Sequence, residues 1–316
     1  VAYNLVYVDS LGVYYALSSD EKVLEAIERA SRYHAACVYP DGSLLETIDG
    51  RNAYHTGVRL GNAGFSHTPA GRGFLAQQHA LFLQRGGRFD ADYAALMLLY
   101  GTDGDIVETS AAQQQHIHRM SDDALIVRHA PWYYCLSAFT APLTPNRFGQ
   151  DRQNFFSLYH DAVGLICGGG NTKLQPLWSS FSVGDTALMY HVAGDEDPDF
   201  SARHGLRHVP DRAELGDSAL HLHYGTVECN IAVRVVDKHE MKIDLSTSVG
   251  NSEQVAAHLI LLAHLGQALH SDKGICDALG EETLDWPDSL WIAHAGWHLD
   301  LPPSARVYWP VLPHNP

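Results

Sequence analysis

The chain has 316 residues, 46% of them hydrophobic and 18% charged, enough apolar material for one large or two ordinary domains and too much for global disorder. Its formal net charge of −16, from 37 acidic against 21 basic residues, argues against nucleic acid as a main partner, because phosphate binding needs Lys/Arg patches. An anionic sugar is still allowed, since a local Arg/His cleft can reverse the sign inside an acidic protein.

No apolar run is long enough to span a bilayer, so no membrane partner is expected. The five cysteines, Cys37, Cys135, Cys167, Cys229 and Cys276, are odd in number and contain no CxxC pair, which points to neither a disulfide scaffold nor a zinc ribbon. The chain starts at Val1 rather than Met and carries no signal-peptide pattern. Either a targeting segment has been removed or the chain is a piece of something longer.

In chain order, residues 1–36 read as two helices. Leu5, Val8, Leu11, Val13 and Leu17 mark the first, and Val23, Leu24, Ile27, Ala30 and Tyr33 mark an apolar face on the second, with Ser19 as its expected N-cap. Gly71–Gln84 reads as a third helix ended by Gly86-Gly87, and Ala91–Tyr100 as a fourth ended by Gly101.

After about residue 105 the segments shorten, alternate and fill with β-branched and aromatic residues. Strands are expected at Ala124–Arg128, Trp132–Phe139, Asn154–Tyr159, Val163–Cys167, Thr186–His191, Ala219–Tyr224, Ile231–Val236, Met241–Leu245, His258–Ala263, Leu290–His294 and Ala305–Leu312. Such a run predicts one or two large antiparallel sheets, a β-sandwich. The fold class is therefore α+β, with an α-helical domain over residues 1–103 and a β-sandwich over 104–316. Four helices are few for so large a sheet, so further helical hairpins are expected before Val1. An α unit of two hairpins also leaves an apolar face that a partner commonly covers, which makes a homo-oligomer an expectation.

The stretch from Tyr39 to His67, between the second and third helices, carries the densest chemistry. It gathers Glu46, Asp49, Arg51, Asn52, Tyr54, His55, Asn62 and His67, and long polar loops on a rigid scaffold are where binding and catalysis concentrate. Read blandly, it is a solvated connection with a Pro-Asp-Gly turn. His116 with His118, and His221 with His223, each place two imidazoles on one side of a strand, half of a zinc site. Spacing supplies no third ligand, so no metal is assigned. Trp132, Tyr133, Tyr134 and Trp178 are candidates for stacking on sugar rings, against the plainer reading that they are core. Gly168-Gly169-Gly170 lacks the context of a phosphate loop and reads as a tight turn.

Asn4 on the first helix, Asp41-Gly42, Glu46 and Tyr54-His55 occur in an order and spacing that resembles the heparinase II/III-like polysaccharide lyases and their alginate-lyase relatives. The likeness covers residues 1 to about 75 and extends more loosely to Gly164–Asn171. It implies an (α/α) toroid ahead of the antiparallel β domain, and β-elimination on a uronic-acid-containing polysaccharide by a secreted or periplasmic protein.

In that reading Asn4 neutralises the uronate carboxylate, helped by Arg51 or Arg72. Tyr54 is the proton carrier, as acid and also as base, with His55, Asn52 and His67 for positioning or proton transfer. Trp132 would line the sugar groove. The residue types suit the reaction: an amide or guanidinium aimed at the carboxylate acidifies the α-proton, and a positioned acid and base move the protons.

Two departures stand against simple transfer. The family often has His directly after the catalytic Asn, where this chain has Leu5. The HxHxD run that supplies a His base and structural zinc ligands is replaced by Asp151, Arg152, Gln153 and Asn154, with His160 displaced, so no cofactor is expected. The alternative is a carbohydrate-binding or structural protein with a decayed lyase fold. A hydrolase using Glu46 and Asp49 is a third reading.

Overall fold

The computed structural model describes residues 2–48, 54–140, 154–168, 176–190, 205–248, 253–264, 266–280 and 282–309. Among them are four α-helices: α1 (Ala2–Ser18), α2 (Glu21–Ala36), α3 (Pro69–Gln84) and α4 (Ala91–Tyr100). All four match the sequence periodicity to within about two residues.

The cap between α1 and α2 falls one residue later than expected. Ser19 terminates α1 with φ +54°, a left-handed conformation incompatible with an N-cap, so Asp20 takes the extended geometry and its carboxylate accepts from Lys22 N at 3.0 Å. Thr68 and Asp90 cap α3 and α4 in the same way, accepting from Gly71 N and Tyr93 N. A 3-10 turn, Ala63–His67, feeds α3.

Among the described residues the strands form four antiparallel sheets of three to five strands and one two-stranded ladder. The first sheet is a meander in chain order: β1 (Gln115–Met120), β2 (Ala124–His129), β3 (Trp132–Ser137), β4 (Phe156–His160) and β5 (Gly164–Cys167). Next along the chain come β6 (Phe181–Gly184) and β7 (Leu206–Arg207), which pair with each other. The second meander is β8 (Arg212–Leu215), β9 (Ala219–Tyr224), β10 (Val227–Val235) and β11 (Met241–Thr247), and β12 (Val255–Ala257) returns to pair with β6. The last sheet combines β13 (Leu269–Ser271), β14 (Gly274–Cys276), β16 (Trp291–His294) and β17 (Trp297–Asp300), while β15 (Leu284–Trp286) and β18 (Val307–Trp309) make the ladder.

The expected toroid and β-sandwich are both overturned. The chain has only four helices among its described residues, and its small antiparallel sheets take a propeller-like, four-blade arrangement. The strands are short and pair mostly with their sequence neighbours, so each hairpin or meander closes locally instead of joining one wide sheet. Two strand expectations fail for local reasons. Thr186–Met189 is a 3-10 turn capped by Asp185, and His191 lies outside the described residues. From His258 to Ala263 the chain makes only a single bridge, Leu261 to Cys167.

Two buried clusters organise the molecule. One lies within the sheets, around Leu136, Phe155, Phe181, Leu220, Tyr224 and Ile231. The other joins helices to the first sheet. Val8 of α1, Ala30 of α2, Tyr39, Phe65, and Phe74 of α3 pack with Ile126, Tyr133, Cys135, Tyr159 and Leu165. Alternation along β2 to β5 therefore sends one set of side chains toward the helices and the other toward the sheets.

Candidate functional site

The turn after α2 is built on Pro40-Asp41 with Gly42 closing it. Gly42 N donates to Tyr39 O at 2.9 Å, Tyr39 N to Ser43 O at 2.8 Å, and Val38 bridges Leu44. Pro and Asp in the central positions followed by Gly is what a type I turn prefers, and Gly42 has φ +85°, where a side chain would be strained. Helix α3 and its C-cap fasten the turn from one side: Gln77 Nε2 donates to Tyr39 O, Gln78 Nε2 to Gly42 O and the C-cap Arg85 Nη2 to Asp41 O. Asp41 is thus held on rigid backbone.

Two layers of polar side chains follow. In the outer layer, Asp41 Oδ1 accepts from Ser43 N and Ser43 Oγ, while Oδ2 accepts from the half-buried Tyr54 hydroxyl at 3.0 Å. Burial first, and then the Asp41 charge, push the Tyr54 phenol well above its ordinary pKa.

In the inner layer Tyr39, Glu46 and Ser157 are buried. The Tyr39 hydroxyl lies 3.0 Å from both Glu46 Oε2 and Ser157 Oγ on β4, and Glu46 Oε1 accepts from Thr47 Oγ1. With one proton to give, the Tyr39 phenol serves the carboxylate and takes a bond from Ser157; burial again raises its pKa. Gly168, at φ +126°, closes over Glu46, and a Cβ there would overlap Oε1. The rings of Tyr39 and Tyr159 stack at 5.0 Å, and Tyr54 meets Tyr39 edge-on at 6.0 Å. Sequence alone put Glu46 in the loop but did not place Tyr39 or Ser157 beside it, because Ser157 is 118 residues away from Tyr39.

Asn4 belongs to the same helix–sheet cluster from the α1 side. Its Nδ2 lies 3.0 Å from Nε2 of His34 on α2, a residue with no solvent exposure. Burial lowers the His34 pKa to about 4, so the ring is neutral. His34 sits edge-on to Phe65 at 5.1 Å and tilted against Phe74 at 5.3 Å, and its Nδ1 finds no hydrogen-bond partner among the described residues. The signal that could have found it is periodicity: with Ile27, Ala30 and Ser31, His34 falls on the buried stripe of α2.

The other sequence candidates scatter. His55 is exposed beside Tyr54. His67 is half-buried, edge-on to Tyr15 at 5.0 Å, with a pKa lowered by burial. The Arg72 guanidinium donates to Asp105 O and Ser66 O, strapping the segment after α4 to the 3-10 turn. Asn62 caps that turn and its Nδ2 donates to Leu5 O on α1 at 2.7 Å. Trp132 is buried in the sheet cluster, with its indole N–H donated to Asp237 O at 2.8 Å and its ring edge-on to His160 at 4.5 Å, so no face is open to a sugar. Arg51, Asn52 and Asp49 lie outside the described residues.

His116 and His118 stack at 6.4 Å, and His221 bonds Asn230 while His223 meets Arg212. No group of three His, Cys, Asp or Glu side chains suited to a metal occurs among the described residues. Where the family's zinc ligands would stand, Asp151, Arg152 and Gln153 are outside the described residues. Asn154 spends its Oδ1 on Phe156 N and Ser180 Oγ, so it does not fit a zinc ligand.

No family model, curated protein or solved structure gives a significant match to the chain.

Proposed function

We propose that the protein is a polysaccharide lyase that cleaves a uronic-acid-containing glycan by β-elimination. The observation that carries the reading is the half-buried Tyr54 hydroxyl fixed on Asp41, a carboxylate itself held by Ser43 and braced from α3. A phenol kept protonated in this way is an acid rather than a base, and it suits protonation of a leaving oxygen.

In the reaction, the Asn4 amide binds the uronate carboxylate and stabilises the charge that builds on it. His55 takes the C5 proton, the electron pair forms the C4–C5 double bond, the C4–O bond breaks, and the departing oxygen receives the Tyr54 proton. Solvent returns both groups to their starting states. The substrate class is an acidic polysaccharide or oligosaccharide, and the compartment is secreted or periplasmic.

A second reading, a glycan-binding protein without turnover, is favoured by Arg72, whose guanidinium is committed to backbone carbonyls rather than to a ligand carboxylate. One assay separates the two. Purified protein is incubated with alginate, hyaluronan, chondroitin sulfate and heparan sulfate, and ultraviolet absorbance of the unsaturated product is followed. The lyase reading expects absorbance to rise, and Tyr54→Phe to lower kcat by at least about 100-fold while binding persists. Affinity without absorbance on every polymer establishes the second reading, and new reducing ends without absorbance establish hydrolysis.

A further inference from the structure

Helices α1 and α2 meet at one polar contact deep in an apolar setting. His34 is completely buried, lies against Phe65 and Phe74, and among the described residues its ring bonds only the Asn4 amide. Its second nitrogen, Nδ1, has no partner among the described residues. A buried polar atom without a partner is costly, on the order of 1–3 kcal/mol, and Leu or Phe would fill the aromatic slot without that penalty. Packing therefore gives no reason for His at this position, whereas its bond to Asn4 does.

The chemistry of the contact fixes its sense. An amide nitrogen has only protons to give, so the His34 nitrogen facing it offers its lone pair and the ring proton sits on Nδ1. One Asn4 N–H is consumed. The other N–H and the Oδ1 have no bond among the described residues, and Asn4 is half-buried rather than sealed.

We propose that His34 is a positioning residue: as the Nδ1–H tautomer it anchors one N–H of Asn4 and leaves the second oriented for the carboxylate of the uronate. This rests on the elimination reading of Asn4. A neutral ring is required, which agrees with the depression of the His34 pKa by burial.

The test uses the full chain and whichever of the four polymers the wild type turns over. Asn4→Ala, His34→Leu, His34→Gln and the Asn4→Ala/His34→Leu double variant are compared, with melting curves to confirm folding. A misplaced amide is expected to lower kcat by up to about 100-fold in His34→Leu, with KM little changed. His34→Gln is expected to recover most of the loss, because its Oε1 can accept in place of Nε2. Since the residue acts through Asn4, the double variant should be no slower than Asn4→Ala alone.

Wild-type kcat in His34→Leu, or losses that multiply in the double variant, would overturn the proposal while leaving the lyase reading intact. A wild type inactive on all four polymers overturns the lyase reading and this role with it. The arrangement can also be read without any variant: nitrogen-15 shifts of the wild-type ring should show a protonated Nδ1 and a bare Nε2, and a proton on Nε2 contradicts it.

Discussion

Tyr39 shows how much one side chain holds. It is buried, its ring stacks on Tyr159, and its hydroxyl joins Glu46 to Ser157, so a loop after α2 is tied to β4. Tyr39→Phe keeps the ring and removes only the oxygen, leaving a buried carboxylate and a serine each short of one bond. The expected cost is about 1–3 kcal/mol, measured as a lower urea midpoint at unchanged m. Unchanged stability would mean that Glu46 draws its support elsewhere. Residues of this kind mark the limit of what the sequence makes legible. The Pro-Asp-Gly turn could be read locally, and Tyr54 and His55 could be singled out by type. The pairings that set their chemistry, Asp41 with Tyr54 and His34 with Asn4, depend on how the loop and the helices fold back, 13 and 30 residues along the chain. Trp132 went the other way: aromatic type suggested a sugar platform, but β3 faces it into the sheet cluster, where alternation alone does not say which side meets solvent.

Among the elements, α1 and the 3-10 turn Ala63–His67 approach each other closely through two glycines. Gly12 and Gly64 are stacked so closely that a Cβ on Gly64 would overlap the Val8 carbonyl, and one on Gly12 would overlap Gly64 itself. That approach sets how deeply α1 sits, and α1 carries Asn4. Gly64→Ala is expected to push α1 outward and to destabilise the protein by about 1–3 kcal/mol or more, because the obstacle is backbone that cannot rotate away. The check is paired: a lower melting temperature together with loss of the Asn4–His34 contact, seen as a shift of the His34 ring nitrogens. A variant with wild-type melting would show that α1 is not seated by this contact. Helix periods of α1 to α4 were legible because apolar spacing and capping residues are local signals. The glycine contact was not, since Gly12 reads in the sequence as a mild helix weakener and gains its meaning only from Gly64 across the gap.

At the scale of the whole molecule, eleven strands were expected where the structure has eighteen among its described residues, most of the extra ones being only two to four residues long, and their division into sheets was not legible either. Period-two patterning identifies a strand and says nothing of its neighbour, and the turns that close β1–β5 and β8–β11 into separate meanders look like the turns within one wide sheet. The two-cluster core that results makes helix burial and site protonation one problem, and this gives a prediction for acid stability. His34 has a folded pKa of about 4 against an unfolded value of 6.5. Below pH 6.5 the unfolded chain takes up a proton that the folded chain refuses, so the stability present above that pH is lost progressively as the pH falls to about 4. At about 1.4 kcal/mol per pKa unit the loss is roughly 3 kcal/mol over the window. Acidification also relieves the self-repulsion of a chain with net charge −16, which works in the opposite direction. That second effect is shared by wild type and His34→Leu, and it cancels in their difference. Urea unfolding at a series of pH values between 7 and 4 should therefore show wild type losing roughly 3 kcal/mol more than His34→Leu. Parallel curves for the two proteins would mean that His34 reaches protons in the native state, which is incompatible with a neutral ring sealed between Phe65 and Phe74.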